Sequence, residues 1–400
     1  MRKMAEVAQV KRVAMTGDEA VAYAVKQSQV DVIAAYPITP QTIIVERLSE
    51  YVADGELDAT FIQAESEHSA ISICVGSSLA GARVFTSTAS QGLALMHEIL
   101  HAVASMRAPL VMAIVNRALN SPLNIHCDHD DVTNARDTGW IHLFATNVQE
   151  VYDLTLMAFK FSEDKNVLLP VSVNLDAFIL SHSVEPLEPL PDETVAGFLP
   201  PREYPYAIDP ENPTTYGAMA LPDTYMEFRK EFSDAIYASP KVFEKVAEEY
   251  AKISGRKYWY FNSYMIDDAD SVAIVLGSTY GTLKHAASKL REQGLKVGVL
   301  GLTMFRPFPE KVLVNALRKA KAVVVMDRAY SFGGLGGPLY TDILSAFYRS
   351  GIRIPVRNVI YGLGGRDFKV DEAFEVLKMM DRGAKEGGFD THQVWWGLKA

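Results

Sequence analysis

The short loop "AAYPITPQT", which follows the apolar run "VDVIA", contains two prolines that flank Ile38 and Thr39. Pro37 and Pro40 fix their own backbone and bias the preceding residues, Tyr36 and Thr39, toward an extended conformation. Ile38 is β-branched and adds stiffness between them. The sequence therefore predicts a stiff loop that presents an aromatic hydroxyl and an aliphatic hydroxyl.

Glu67 lies in "QAESEHSA", where a strand gives way to a helix. Its carboxylate is therefore expected at the helix N-terminus, on the edge of the sheet where open α/β folds bind ligands. A purely structural interpretation is also open, in which Ser66 caps the helix and Glu67 complements the helix dipole.

Arg117 leaves the strand "PLVMAIV" at the start of a long loop. A guanidinium in that place is suited to binding a carboxylate through two parallel hydrogen bonds. A structural salt bridge is the alternative that the sequence leaves open.

Two further motifs suggest ligands at first sight. "HCDHDD", residues 126–131, mixes imidazole, thiol and carboxylate, but this set suits no single metal geometry and no second ligand cluster accompanies it, so we predict no metal site. "SFGGLGGPLY", residues 331–340, is glycine-rich but lacks the spacing of a dinucleotide-binding loop, so we predict a tight structural turn.

Short β-branched runs alternate with helical patterns over the first 180 residues and again after residue 270. Such βα alternation predicts an α/β fold with doubly wound, mostly parallel sheets. Eight of the 19 prolines fall within residues 186–213, which predicts a connector followed by a polar helix. We expect an α/β domain over 1–185, the connector and helix over 186–265, and a smaller α/β domain of about four strands over 266–390.

Composition narrows the function. The 39 Lys and Arg against 49 Asp and Glu give a net charge of −10, which argues against nucleic acid or an anionic membrane as partner. No apolar run is long enough to span a bilayer, and "MRKMAEVAQVKRVAM" has no apolar core typical of a secretion signal, so a cytoplasmic location is expected. Two cysteines, Cys74 and Cys127, are too few to hold an iron–sulfur cluster.

Taken together, these motifs resemble the α chain of the multi-subunit pyruvate:ferredoxin oxidoreductases and their 2-oxoacid relatives. The resemblance covers nearly the whole chain and rests on motifs in the family's order: "AAYPITPQT", "ESEHSA", "SSLAGARVFTSTASQGLALMHE", "NRALNSPLNI", "DHDDVTNARDTGW", "LPVSVNLDAFILSH", "LTMFRPFPE" and "YGLGGRDF". It implies a pyrimidine-binding domain like those of thiamine diphosphate enzymes, followed by a domain like the transketolase C-terminal domain.

The same resemblance implies roles for the three candidate residues. Glu67 matches the carboxylate that bonds the pyrimidine N1′ of thiamine diphosphate and so promotes loss of the C2 proton. Thr39 and Arg117 match the groups that bind the substrate. The implied cofactor-binding residues are Glu67, Tyr36, Pro37 and Ile38.

The resemblance further implies a hetero-oligomer with β, γ and δ subunits and ferredoxin. A β chain would hold the diphosphate and Mg²⁺, because this sequence has no Gly-Asp-Gly motif, and [4Fe-4S] clusters would lie in partner subunits. The implied reaction is oxidative decarboxylation of pyruvate with coenzyme A to acetyl-CoA. Alternatives are a branched-chain 2-oxoacid enzyme, a non-catalytic assembly subunit and a lipoamide-coupled dehydrogenase; oxalate is disfavoured because the oxalate-specific relatives carry Arg at the position of Thr39.

Overall fold

The structure, a computed structural model, describes residues 12–399. Most of the N-terminal stretch considered above as a possible secretion signal lies outside the described residues. Fifteen strands are formed within the described range. They are β1 (Val13–Met15), β2 (Val32–Ala35), β3 (Thr60–Gln63), β4 (Val84–Thr88), β5 (Val111–Asn116), β6 (Ile141–Phe144), β7 (Val171–Asp176), β8 (Glu185–Leu187), β9 (Phe261–Tyr264), β10 (Ser271–Val275), β11 (Val297–Leu302), β12 (Met304–Arg306), β13 (Ala322–Asp327), β14 (Val356–Ile360) and β15 (Gln393–Trp395).

Helices cover the connections between most of these strands. They are α1 (Gly17–Gln27), α2 (Thr42–Ala53), α3 (Glu67–Leu79), α4 (Ser90–Leu95), α5 (His97–Ser105), α6 (Asp130–Ala135), α7 (Val148–Glu163), α8 (Asp192–Phe198), α9 (Tyr225–Ser254), α10 (Thr279–Glu292), α11 (Glu310–Leu317), α12 (Pro338–Arg349) and α13 (Val370–Glu386). None of the helices in this described part combines the length and apolarity needed to cross a bilayer.

The first sheet has the order β12-β6-β7-β5-β4-β2-β3, and all its neighbouring strands are parallel except β12, which runs antiparallel to β6. The central strands β5 and β7 are buried along their whole length, as expected for strands covered by helices on both faces. The predicted mostly parallel α/β architecture is confirmed.

The second sheet has the order β15-β14-β13-β10-β11-β9, with β9 antiparallel at one edge. It therefore contains six strands, of which the four within residues 266–390 match the expectation, while β9 and β15 lie outside those bounds. The four central strands are the apolar runs read from the sequence. The edge strands β9 and β15 are short and only partly buried, so they lack the continuous apolar signal of the others.

Residues 186–213 are not a featureless connector, because they contain α8 and the end of β8, which pairs with β1. The helix begins after Pro191 and has Asp192 and Glu193 in its first turn, where acidic residues favour the helix dipole. The run "SQGLALMHEILHAVASM", whose pattern predicts a single helix, is divided into α4 and α5 at Met96.

Candidate functional site

The loop between β2 and α2 is anchored by Gln41, a residue whose role has no signal in the sequence. Gln41 is fully buried, and its Nε2 donates to the carbonyl of Tyr36 at 2.9 Å while its Oε1 accepts from Ser87 Oγ at 3.1 Å. Tyr36 and Thr39 remain exposed. The loop is thus anchored to β4 on one side, and Tyr36 and Thr39 are exposed on the other, as expected for a stiff loop that presents two hydroxyls.

Glu67 is the first residue of α3 and is only 7% exposed. Its carboxylate lies against the β4–α4 turn, since a Cβ on Gly92 would be 2.6 Å from Glu67 Oε1 and 2.4 Å from Thr88 Oγ1. Within residues 12–399 no donor bonds this carboxylate, and Thr88 Oγ1 is likewise buried without a partner. Ser66 caps the helix by accepting from Ser69 N, so capping and a nearly buried carboxylate coexist at the start of α3.

Arg117 directly follows β5 and is 7% exposed. Its Nη1 donates to the carbonyl of Thr39 at 2.7 Å, and its Nε donates to the carbonyl of Asn124 at 3.2 Å. The other three N–H groups of the guanidinium have no partner among the residues that the structure describes. Because both bonds go to backbone carbonyls, the salt-bridge alternative is not what the structure forms. Burial lowers the pKa of Arg117 from its ordinary value.

Asp131 joins the ends of β4 and β5. Its Oδ2 accepts from the backbone N–H of Ser90 and of Arg117, both at 3.0 Å, and its Oδ1 accepts from Asn116 Nδ2 at 3.1 Å. Asp131 is buried, so these bonds are made away from solvent and fix the backbone from which Arg117 emerges. In the sequence, Asp131 stands out only as the last residue of the motif "HCDHDD".

The two histidines of the motif "HCDHDD" lie in different environments. His126 is exposed, whereas His129 is buried and its Nε2 lies 2.7 Å from Asp176 Oδ1. The side-chain atoms of Cys127, His129 and Asp176 that could ligate a metal lie within 4.8 Å of one another. The 2.7 Å contact is a direct hydrogen bond, however, and two ligands at about 2 Å from a shared ion would stand farther apart.

Asp176 ends β7 and connects the two sheets. Its Oδ2 accepts from the N–H of Ser278 at 3.0 Å and from Ser278 Oγ at 2.5 Å, immediately before α10. Burial alone would raise the pKa of Asp176, but His129 and Arg328 hold it below its usual value. A charged residue at the end of the buried run "NVLLPVSVNLD" was a signal that could have identified this position.

The glycine-rich turn before α12 is structural, as predicted. Gly337 N donates to Asn358 Oδ1 at 2.7 Å, and Leu339 N donates to the buried carboxylate of Asp327 at 2.8 Å. A Cβ on Gly337 would lie 2.2 Å from Asp327 Cγ. The amides that could have bound a phosphate are therefore occupied by side chains of the same sheet.

Five adjacent strands deliver the candidate residues to one edge of the first sheet. In the order β7-β5-β4-β2-β3, their carboxyl ends lead to Asp176, Arg117, Ser90, the Tyr36–Gln41 loop and Glu67. Since parallel strands end on the same side, this edge gathers a carboxylate, a partly free guanidinium and two exposed hydroxyls. Such a set can bind an anionic substrate beside a heteroaromatic base.

Comparison with known proteins identifies relatives of this arrangement. Residues 23–248 match the family described as pyruvate flavodoxin/ferredoxin oxidoreductase, thiamine diphosphate-binding, and residues 269–373 match pyruvate:ferredoxin oxidoreductase core domain II. Pyruvate synthase subunit PorA of Thermotoga maritima is 50% identical, with 92% of this chain and 94% of the relative covered.

Ketoisovalerate oxidoreductase subunit VorA of Pyrococcus abyssi is 45% identical over 99% of this chain and 100% of its own length. The solved structure of a 2-oxoglutarate:ferredoxin oxidoreductase from Magnetococcus marinus, with 2-oxoglutarate, coenzyme A and succinyl-CoA bound, superposes with a TM-score of 0.72 at 21% identity. That match covers 92% of this chain and 65% of the other, and it concerns the fold alone. The chain belongs to the pyruvate flavodoxin/ferredoxin oxidoreductase family.

Proposed function

We propose that this chain is the α subunit of a pyruvate:ferredoxin oxidoreductase, which converts pyruvate and coenzyme A to acetyl-CoA and CO₂ and passes two electrons to ferredoxin. The observation that carries the proposal is the bond from Arg117 Nη1 to the Thr39 carbonyl, because it brings a guanidinium with free N–H groups next to the Thr39 loop. A guanidinium with two free parallel donors is suited to a 2-oxoacid carboxylate.

The residues at Glu67 fit the pyrimidine ring of thiamine diphosphate. The carboxylate is almost buried and lacks a donor within the described range, and Gly92 beside it leaves it room, because a Cβ at position 92 would lie 2.6 Å from Glu67 Oε1. When bound, this cofactor supplies a carbanion that attacks the substrate carbonyl. Glu67 would hold the proton at the ring nitrogen, with Tyr36, Pro37 and Ile38 forming the adjoining wall.

Other subunits must complete the site under this proposal. Tyr36 is 38% exposed and Thr39 is exposed, so the loop offers an open face to a partner. The chain's two cysteines are both buried, and burial raises the pKa of each thiol, so neither is suited to ligating a cluster. We therefore assign Mg²⁺, the diphosphate and the [4Fe-4S] clusters to β, γ and δ subunits.

Substrate choice is tested by turnover. The complex purified with all its subunits should reduce ferredoxin with pyruvate in a coenzyme A-dependent reaction, and kcat/KM for pyruvate should exceed that for 2-oxoisovalerate. The relative VorA keeps a branched-chain enzyme as the second candidate. A preference for 2-oxoisovalerate would select that candidate, and no 2-oxoacid turnover by the intact complex would reject both.

Sharing of the cofactor is tested by binding. Calorimetry should detect no binding of thiamine diphosphate at micromolar concentration to this chain alone, with or without Mg²⁺, and should detect tight binding to the complete complex. Tight Mg²⁺-dependent binding to the isolated chain would contradict the assignment of the diphosphate to another subunit.

A further inference from the structure

The loop that follows Arg117 is also hydrogen-bonded to the second α/β unit. Gly365 N donates to the carbonyl of Cys127 at 2.7 Å, and Gly364 N donates to Asp128 Oδ2 at 3.1 Å. Both glycines belong to the turn Gly362–Gly365, which follows β14. The second α/β unit therefore reaches the Arg117 loop through backbone N–H groups of this turn.

Asn124 connects this turn to the guanidinium. Its backbone carbonyl accepts from Arg117 Nε at 3.2 Å, and its side-chain Nδ2 donates to the carbonyl of Gly364 at 3.0 Å. Its Oδ1 accepts from the N–H of His126 at 2.7 Å, so the amide is fixed on both sides. Asn124 is the residue through which the turn reaches Arg117.

The turn is shaped to accept this side chain. Gly364 has φ +61°, a conformation that favours glycine, and a Cβ there would lie 2.5 Å from Asn124 Nδ2. Any larger residue at position 364 would displace the asparagine amide.

We propose that Asn124, seated on the Gly362–Gly365 turn, is a positioning residue that sets the direction of the free N–H groups of Arg117. The guanidinium is planar, so bonds at Nε and Nη1 to two carbonyls fix its plane and leave one edge facing outward. The inference rests on the proposed function, in which that edge binds the substrate carboxylate.

Loss of the Asn124 amide should leave the charge of Arg117 in place but loosen its orientation. Because the carboxylate is bound in both ground and transition states, the effect should fall on KM more than on kcat. Asn124→Ala in the complete complex should raise KM for the 2-oxoacid by roughly five- to tenfold, the scale of one net hydrogen bond between neutral groups, with kcat within about threefold.

Asn262→Ala is the matched control. Asn262 Nδ2 donates to Glu150 Oε1 at 2.9 Å, which is also an asparagine contact between the two α/β units, but it does not touch the Arg117 loop. This variant should keep KM within about twofold of wild type, since most contacts remote from a site are near neutral. An equal rise in KM in both variants would mean general loosening between the units and would overturn the proposal.

The contact between Asn124 and Gly364 can also be tested by substituting Gly364. Gly364→Ala should raise KM, and it should add little to a chain that already carries Asn124→Ala, because the displaced amide is then absent. Gly387 also has a positive φ, +74° against +61° at Gly364, and a Cβ there would have nothing within 4 Å, so Gly387→Ala controls for backbone strain and should leave KM unchanged.

The two proposals fail separately. If Arg117→Lys leaves KM unchanged, the guanidinium does not bind substrate and the proposed function is at fault. If Arg117→Lys raises KM while Asn124→Ala and Gly364→Ala do not, the positioning role of Asn124 is wrong and the function stands.

Discussion

Arg117 Nη1 donates to the backbone carbonyl of Thr39 at 2.7 Å, not to its hydroxyl. Any residue at position 39 supplies that carbonyl, so the bond between the β5 end and the proline loop does not depend on the side chain there. Substitutions at position 39 therefore test what the side chain does toward the substrate, whereas substitutions at position 117 remove the bond itself.

Arg117→Lys should lower kcat/KM for pyruvate by about 10²-fold, because an ammonium keeps the charge but cannot hold a carboxylate in two parallel bonds or bond two carbonyls at once. Steady-state kinetics of the complete complex would measure this. Arg349→Lys, at a side chain 69% exposed on α12, is the matched control and should behave as wild type. Activity of Arg117→Lys within a few-fold of wild type would rule out substrate binding by this residue.

Thr39→Arg should lower kcat/KM for pyruvate by on the order of 10²-fold or more, since a guanidinium would fill the space next to the substrate methyl and misplace the reacting group. It should also weaken discrimination against oxalate, whose second carboxylate could pair with the new charge. Thr39→Ser keeps the hydroxyl and should cost far less. Pyruvate turnover by Thr39→Arg close to the wild-type rate would put the side chain outside the pocket.

Most of the parallel strands were predictable because they are buried, largely apolar runs between helical patterns, as in β5, β7 and β13. The strand β12 was not, because it has only three residues and pairs with β6, whose residues lie more than 150 positions earlier in the chain. Local periodicity carries no signal for such a pairing.

The site was predictable where a residue follows directly from a strand or begins a helix, as for Arg117 and Glu67. His126 and His129 are close in sequence, but α6 begins only at Asp130 and the two imidazoles are not on a common helical face. Asn124 could not be found from sequence, since its partner Gly364 comes from another sheet.

Glu67→Gln should preserve folding and assembly but slow exchange of the acidic C2 proton of bound thiamine diphosphate by about 10²–10⁴-fold, the usual loss when an acid–base group is removed. An amide cannot exchange a proton with the ring nitrogen as a carboxyl group does. Proton exchange in the complete complex followed by NMR is the measurement. Glu98→Gln, at an 86% exposed side chain on α5, is the control. If C2 proton exchange in Glu67→Gln proceeds at the normal rate, Glu67 has no catalytic role and only complements the dipole at the start of α3.

A pH effect on stability is expected at Asp18, in the first turn of α1. The residue is fully buried, and neither carboxylate oxygen has a hydrogen-bond partner among the described residues. His182 Nδ1 lies 3.8 Å from Oδ2, beyond hydrogen-bonding distance. Burial, with a smaller contribution from Glu19, raises the pKa of Asp18 well above its ordinary value.

An acid whose pKa is raised by folding binds more protons when folded, so Asp18 should make the free energy of unfolding fall as pH rises above about 4. Asp18→Asn removes this dependence, so its unfolding free energy relative to wild type should increase as pH rises above about 4, by up to about 1.4 kcal/mol per pH unit until Asp18 ionises in the folded chain. Thermal unfolding of the two purified proteins over a pH series would show this as a growing difference in Tm. Glu19→Gln should show the opposite pH dependence of stability. Burial raises the pKa of Glu19, but hydrogen bonds from Thr16 and the ion pair with Arg47 outweigh burial and lower this pKa overall. Glu19 thus contributes stability above about pH 4 that is lost on acidification, so Glu19→Gln should cost stability at pH 7 and little near pH 3. Parallel pH profiles for wild type and Asp18→Asn would mean that Asp18 is ionised in the folded chain.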